Sequence, residues 1–198
     1  MQHEYAMNTE NTKFQHSDID TPDPLTGTKT YRELDKAVGK IATMVLPDQG
    51  ILGSGELAEL RRISPDYPFT SALWRVLLSL ELDTTIRGSR QTDYERKWAT
   101  LLMGMAICSG LHDYHTPLGK ALADSGWSEL RFAQLMKARG KNLEILIRRL
   151  SQYLASKNQK SDWADVRKLL FYQDGEWAEE QRIRISRAYY QALYQSGQ

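Results

Sequence analysis

The stretch LEILIRRLSQYL, residues 143–154, decides the fold class of this chain. Its apolar residues recur at spacings of three and four, which is the pattern of a helix that packs one side against a core. Arg148 and Arg149 fall on the polar side of this helix, so we expect both guanidinium groups to point outward. The apolar residues are Leu143, Leu146, Ile147, Leu150, Tyr153 and Leu154.

Several sequence signals on the N-terminal side of this stretch mark helix starts. Thr30-x-x-Glu33 and Thr92-x-x-Glu95 have the spacing of capping boxes, in which two side chains satisfy backbone N–H groups at the start of a helix. Pro68 suits the first turn of another helix, because proline has no N–H to lose there. These signals predict three helix starts in the N-terminal half.

Further helices follow at the same periodicity. An apolar stripe runs over residues 94–108 and includes Tyr94, Trp98 and Cys108. Ser128 and Ser161 are suitable N-cap residues for two later helices, and a final helix is predicted over about 177–194. No segment alternates between apolar and polar residues as a half-buried strand would. The sequence therefore predicts an all-α fold.

The domain organisation follows from breaks in this periodicity. Residues 1–28 are polar and interrupted by proline and glycine, so they are predicted to form a flexible arm. The helices then divide into an N-terminal lobe over 29–114 and a C-terminal lobe over 115–198. Hydrophobic residues make up 41% of the 198 residues, which is enough for a packed core. We expect a two-lobed helical bundle.

Several protein classes do not fit this composition. No apolar run approaches the roughly 18 residues that a membrane span needs, and the first residues lack the basic start and apolar stretch of a signal peptide. Cys108 is the single cysteine, so an internal disulfide is impossible. We expect a cytoplasmic protein with no membrane partner.

The charge distribution is more informative than the net charge of +1. Residues 1–114 carry 12 basic and 16 acidic groups, whereas residues 115–198 carry 14 basic and 9 acidic groups. A local basic surface is typical of a protein that binds a polyanion, although a solvated helix face would give the same pattern. The most basic window, 131–149, contains Glu144 against Arg131, Lys137, Arg139, Lys141, Arg148 and Arg149.

Candidate catalytic and metal-binding residues are few. Cys108, His112 and His115 have the spacing C-x3-H-x2-H, but no fourth zinc ligand lies nearby in the sequence. Cys108 also belongs to an apolar stripe, whereas a catalytic thiol needs an exposed, electropositive setting. The neighbouring carboxylates Glu179 and Glu180 diverge on a helix, so they do not form an acid–base pair. We expect no metal, no cofactor and no enzymatic activity.

The aromatic residues fall into two groups. Trp98 and Trp163 lie at apolar spacing and are predicted to be in the core. Tyr189, Tyr190 and Tyr194 fit either packing within the core or against a partner, or stacking on nucleic-acid bases.

Four segments resemble the CasB family, the small subunit of the type I-E CRISPR Cascade complex. The segment LGKALADSG, residues 118–126, and the segment SELRF, residues 128–132, match the family's central motif in order and spacing. The family's leucine- and arginine-rich helix is similar to LIRRL at residues 146–150, and its Asp-Trp helix start to residues 162–163. Weaker similarity is found at residues 60–64, LRRIS, and at residues 73–75, LWR.

The resemblance implies an all-helical, non-catalytic subunit that serves in antiviral defence. Members occur as two copies side by side within Cascade, next to the other subunits. They stabilise the duplex of guide RNA and target DNA, and the displaced DNA strand, through basic side chains. Carried over by motif, the candidate contacts are Arg61, Arg62, Lys120, Arg131, Arg148 and Arg149, to which the charge pattern adds Lys137 and Arg139.

Two other functions remain open at this point. The chain could be a helical adaptor whose basic face docks an acidic protein partner. It could also be an enzyme that uses Cys108 or the histidines. Salt-dependent binding to nucleic acid of mixed sequence distinguishes the first hypothesis from the adaptor, and an exposed thiol of low pKa would favour the enzyme.

Overall fold

The computed structural model describes residues 29–83 and 89–196, and within these ranges the chain forms nine helices and no strand. The all-α prediction is therefore confirmed. The predicted arm at 1–28, and residues 84–88 of a predicted loop, lie outside the described residues. The helices are α1 (Tyr31–Met44), α2 (Ser54–Arg62), α3 (Ser71–Ser79), α4 (Ser89–Ile107), α5 (Leu118–Asp124), α6 (Glu129–Lys137), α7 (Gly140–Ser156), α8 (Trp163–Phe171) and α9 (Glu176–Ser196).

The two predicted capping boxes have different outcomes. At the start of α1, the Glu33 N–H donates to the Thr30 hydroxyl over 3.2 Å, and the Thr30 N–H donates to the Glu33 carboxylate over 2.7 Å. This box is confirmed. The second box is wrong, because Thr92 and Glu95 lie inside α4, which begins at Ser89. There Glu95 accepts from the Gln91 amide within the same helix.

Two other predicted helix starts are displaced. Helix α3 begins at Ser71, and Thr70 rather than Pro68 precedes it and accepts from the Leu73 N–H. Helix α8 is capped by Asp162, whose carboxylate accepts from the Ala164 N–H over 2.9 Å, and not by Ser161. The backbone of Ser161 is occupied elsewhere, because its N–H and C=O bond to the segment 111–113.

The core is built around α4, which packs against α2, α7 and α8. The residues of the predicted stripe, which runs along α4 and ends at Cys108 just after it, are buried. On α7, the residues Leu143, Ile147, Leu150 and Leu154 have no exposed surface. One continuous apolar cluster contains residues from both halves of the chain. The division into two lobes near residue 115 stays a prediction.

Helices α5 and α9 approach each other closely at Gly119. A Cβ atom at this position would lie 2.0 Å from the Ile185 carbonyl oxygen, so only glycine allows this contact. Gly119 belongs to the segment LGKALADSG, and the close packing of α5 against α9 explains why this position of the segment is a glycine.

The five aromatic residues singled out in the sequence differ in burial. Trp98 and Trp163 are buried in the core, as predicted, and Tyr189 joins them. Tyr190 and Tyr194 on α9 are exposed. Over the described ranges, none of the helices combines the length and the apolar character that crossing a membrane requires.

Candidate nucleic-acid interface

The polar residues of α7 lie on two different faces of the helix. Successive residues of an α-helix are about 100° apart around its axis, so Arg148 and Arg149 point in different directions. Arg148 faces the end of α2 and is half-buried, whereas Arg149 faces α6 and is exposed. The expectation that both arginines point outward is correct for Arg149 and wrong for Arg148.

Arg148 caps the C-terminal end of α2. Its two terminal nitrogens each donate to the Arg61 carbonyl over 3.2 Å, and one of them also donates to the Ile63 carbonyl. The last carbonyls of a helix have no partner within the helix, and a positive charge at this end is favourable. The Arg148 guanidinium therefore joins α7 to α2.

Arg61 and Arg139 have similar roles at other helix ends. The Arg61 Nε donates over 2.9 Å to the carbonyl of Ala106, one residue before the end of α4. The Arg139 Nη1 donates to the carbonyls of Met136 and Ala138 at the end of α6, over 3.1 and 2.9 Å. Three of the eight predicted binding residues thus donate to the ends of helices.

The predicted lysine on α5 stands apart from the other candidates. Lys120 forms an ion pair with Asp124 one turn later, with 2.5 Å between Nζ and Oδ2. No described contact joins Lys120 to any other predicted binding residue. Its charge is balanced locally by the carboxylate.

Arg131, Lys137 and Arg149 line one groove, which we name the α6/α7 groove. It consists of two adjoining cavities of about 300 and 480 Å³ that share Gln134, Leu146 and Arg149. No carboxylate lines either cavity. In the part of the chain that the structure describes, none of the three cations forms an ion pair, so their charge is available to an outside anion.

The floor of the groove contains an aromatic pair that the sequence analysis did not select as functional. The Arg131 guanidinium carbon lies 5.5 Å from the centre of the Trp127 ring. Tyr153 meets the same ring edge-on at 4.9 Å. The four-residue spacing from Arg149 to Tyr153 on α7 is a signal that could have indicated part of this arrangement. Trp127 precedes α6, so helical spacing does not pair it with Arg131.

Arg62, the remaining candidate, is exposed in the last turn of α2. It has no hydrogen bond or ion pair to residues within 29–83 or 89–196. The capping contact between Arg148 and the Arg61 carbonyl places this end of α2 beside α7. Arg62 therefore lies at the end of α2 that Arg148 caps, and not in the α6/α7 groove.

Cys108 does not have the setting of a nucleophile. Its thiol donates to the Ser151 carbonyl, and burial raises the pKa of Cys108 to about 12. Burial also lowers the pKa of His112, whose Nδ1 accepts from the Trp163 N–H. His115 is exposed on the adjacent turn. Among the residues described, no three His, Cys, Asp or Glu side chains lie close enough together to hold a metal ion.

The fold and this surface together define an all-helical protein with a basic, carboxylate-free groove. The chain belongs to the Cse2 family, because the family model described as CRISPR-associated protein Cse2 matches residues 56–190. The resemblance to the CasB family is thereby confirmed.

Two solved structures share the fold. CasB from Thermobifida fusca is 19% identical with a TM-score of 0.61, and the match covers 81% of this chain and 98% of that one. A chain of E. coli Cascade bound to a PAM-containing double-stranded DNA target is 18% identical with a TM-score of 0.59, covering 81% and 95%. At these identities the similarity shows the fold alone. No curated protein sequence matches the chain.

Proposed function

We propose that this chain is a non-catalytic subunit of a type I-E Cascade complex that binds nucleic acid through the α6/α7 groove. The observation that carries the proposal is the grouping of Arg131, Lys137 and Arg149 in a groove without a carboxylate. The proposed partners are guide RNA, target DNA, the other Cascade subunits and a second copy of the chain. The proposed setting is antiviral defence in the cytoplasm.

The chemistry of the groove suits the phosphate backbone. Arginine offers phosphate a planar fork of donors and lysine a point charge. The amides of Gln134 and Asn142, which also line the groove, can donate to phosphate oxygens. Phosphate contacts carry no sequence information. Binding through this groove is therefore independent of sequence.

The other predicted residues take supporting roles in this proposal. Arg62 adds exposed charge at the end of α2. Arg61, Arg139 and Arg148 donate to helix ends but keep N–H groups, because a guanidinium has five. Lys120 contributes least, since Asp124 balances its charge.

The proposed mechanism is electrostatic stabilisation of opened DNA. Exchanging a DNA duplex for an RNA–DNA duplex is nearly balanced in free energy, so modest contacts between protein and backbone can favour the open state. The displaced strand would otherwise anneal again. A basic groove can hold that strand regardless of its sequence.

The test is DNA binding by the assembled complex with the double substitution Arg131→Ala/Arg149→Ala, across a salt series. We expect weaker binding to all sequences alike. The slope of the logarithm of the binding constant against the logarithm of the salt concentration should become shallower by roughly 0.7–0.9 for each lost contact. Lys36→Ala/Lys40→Ala is the matched control, because it removes two exposed positive charges from α1.

Two results would contradict the proposal. Equal affinity and equal slope, with the variant subunit incorporated, would mean that the groove is a solvated surface. Failure of the folded variant to enter the complex would favour the second hypothesis, a helical adaptor whose basic face docks an acidic protein. Thermal unfolding of the isolated subunit shows whether the variant is folded.

A further inference from the structure

We infer that Trp127 is a positioning residue for Arg131, and that its indole ring holds the guanidinium in place to receive a phosphate. This inference rests on the proposed function, because it explains how one cation of the α6/α7 groove is oriented. The guanidinium carbon lies 5.5 Å from the ring centre, and both side chains line the smaller cavity of the groove.

The ring is a fixed support. Trp127 is only 5% exposed, and its backbone N–H donates to the Leu122 carbonyl of α5 over 2.9 Å. Tyr153 packs edge-on against the ring, and its hydroxyl donates to the Ser125 carbonyl over 2.6 Å. The backbone of Trp127 is therefore tied to α5, and its ring packs against a side chain of α7. The ring keeps one position beside Arg131.

The cation is held mainly by this contact. Arg131 is exposed and forms no hydrogen bond or ion pair within the described ranges. An arginine plane stacks on an aromatic face in a way that a lysine does not reproduce. A cation–π contact reduces the freedom that the arginine side chain loses when it binds, and such preorganisation strengthens binding.

Two other roles for the ring fit less well. The ring is almost completely covered, so no open face remains on which a base could stack. The indole Nε1–H has no hydrogen-bond partner among the described residues, so the ring does not serve as a donor within them. What the ring offers to the groove is its π face, and Arg131 occupies it.

The test is a double-mutant cycle measured as DNA affinity of the assembled complex. Trp127→Leu removes the ring, and Trp127→Phe keeps a weaker aromatic face without removing a hydrogen bond from the indole N–H. With Arg131 present, we expect Trp127→Leu to weaken binding about three- to fivefold, and Trp127→Phe to weaken it less. In the Arg131→Ala background, neither substitution should change the affinity further.

The outcomes separate this inference from the proposal on which it rests. Equal loss from Trp127→Leu in both backgrounds would mean that the ring only supports the fold, and no loss in either would mean that Arg131 binds without it. Each result overturns the inference and leaves the groove's function standing. If Arg131→Ala/Arg149→Ala itself has no effect, the proposed function fails. Thermal unfolding and subunit incorporation confirm that each variant is folded, and Trp127→Phe retains most of the buried volume if Trp127→Leu does not fold.

Discussion

Helix α7 carries charged residues on two faces. The charged groups on one face have partners within the protein, and the arginine on the other face has none among the described residues. Toward α6, Arg149 is exposed beside Arg131 and Lys137 and has no acidic partner in the described chain. Toward α2 and α4, Arg148 donates to backbone carbonyls, and Lys141 lies 2.7 Å from Asp66. Charge density along the sequence is thus a poor guide to binding. The better criterion is whether each donor already has a partner within the protein.

The largest expected effect is on stability and distinguishes two adjacent arginines. Arg148→Ala should lower the free energy of unfolding by about 1–3 kcal/mol, because it removes charged hydrogen bonds from the end of α2. Arg149→Ala should change it by no more than about 0.5 kcal/mol, as is usual for a surface substitution. Urea unfolding of the isolated subunit measures both. Equal effects from the two substitutions would contradict the assignment of the two faces.

An intermediate effect is expected on DNA binding, where two lysines differ. Lys137 lines the α6/α7 groove, and Lys141 is paired with Asp66. Lys137→Ala removes an unpaired charge from the groove and should make the salt slope of DNA binding shallower by roughly 0.7–0.9. Lys141→Ala removes a charge that Asp66 already balances, so it should leave the slope nearly unchanged. The measurement is a salt titration of DNA binding by the assembled complex. A larger change for Lys141→Ala would show that pairing does not decide which charges bind.

The smallest effect concerns Glu144, which faces α4 from the α2 side of α7. Burial raises the pKa of its carboxyl group, against the opposing influence of Arg96, which lies 3.7 Å away. The folded state therefore keeps the proton to a higher pH than the unfolded state. This contribution to stability is present below the ordinary pKa of glutamate and is lost as pH rises through the raised value.

Glu144→Gln should remove that part of the pH dependence. We expect the free energy of unfolding of the wild type, minus that of the variant, to decrease as pH rises through the weakly acidic range. Asp162, whose pKa burial raises to about 6, contributes in the same direction in both proteins and cancels in the difference. A difference that stays constant with pH would contradict the expected titration of Glu144.

The fold was largely predictable because it depends on a local pattern. Apolar spacing identified the buried faces of α4 and α7, since a helix of this length needs one side in the core. The exact starts were less predictable. Three residues suit a helix start by type but do not begin a helix: Thr92, Pro68 and Ser161. Tertiary contacts also decide where a helix begins. The Ser161 backbone, for example, bonds to the distant segment 111–113.

The site was predictable only in part, for a related reason. Charge density selected Arg131, Lys137 and Arg149, and the structure brings these three together. Charge density also selected Arg148, and the family motif selected Arg61. The carbonyl partners of Arg61 and Arg148 lie 45 and up to 87 residues away in the sequence, respectively. No local pattern can show that such a donor is occupied. The four-residue spacing of Arg149 and Tyr153 on α7, in contrast, was visible in the sequence.

The cap on α2 bears on how the chain acquires its structure during synthesis. Helix α2 has nine residues, and a helix of that length is marginal without tertiary contacts. Arg148, which completes its end, is translated 87 residues after Arg61. Because the ribosome delivers the chain from the N-terminus onward, the end of α2 stays incomplete until α7 has emerged. A nascent chain arrested before α7 is thus expected to expose this end to proteases and chaperones.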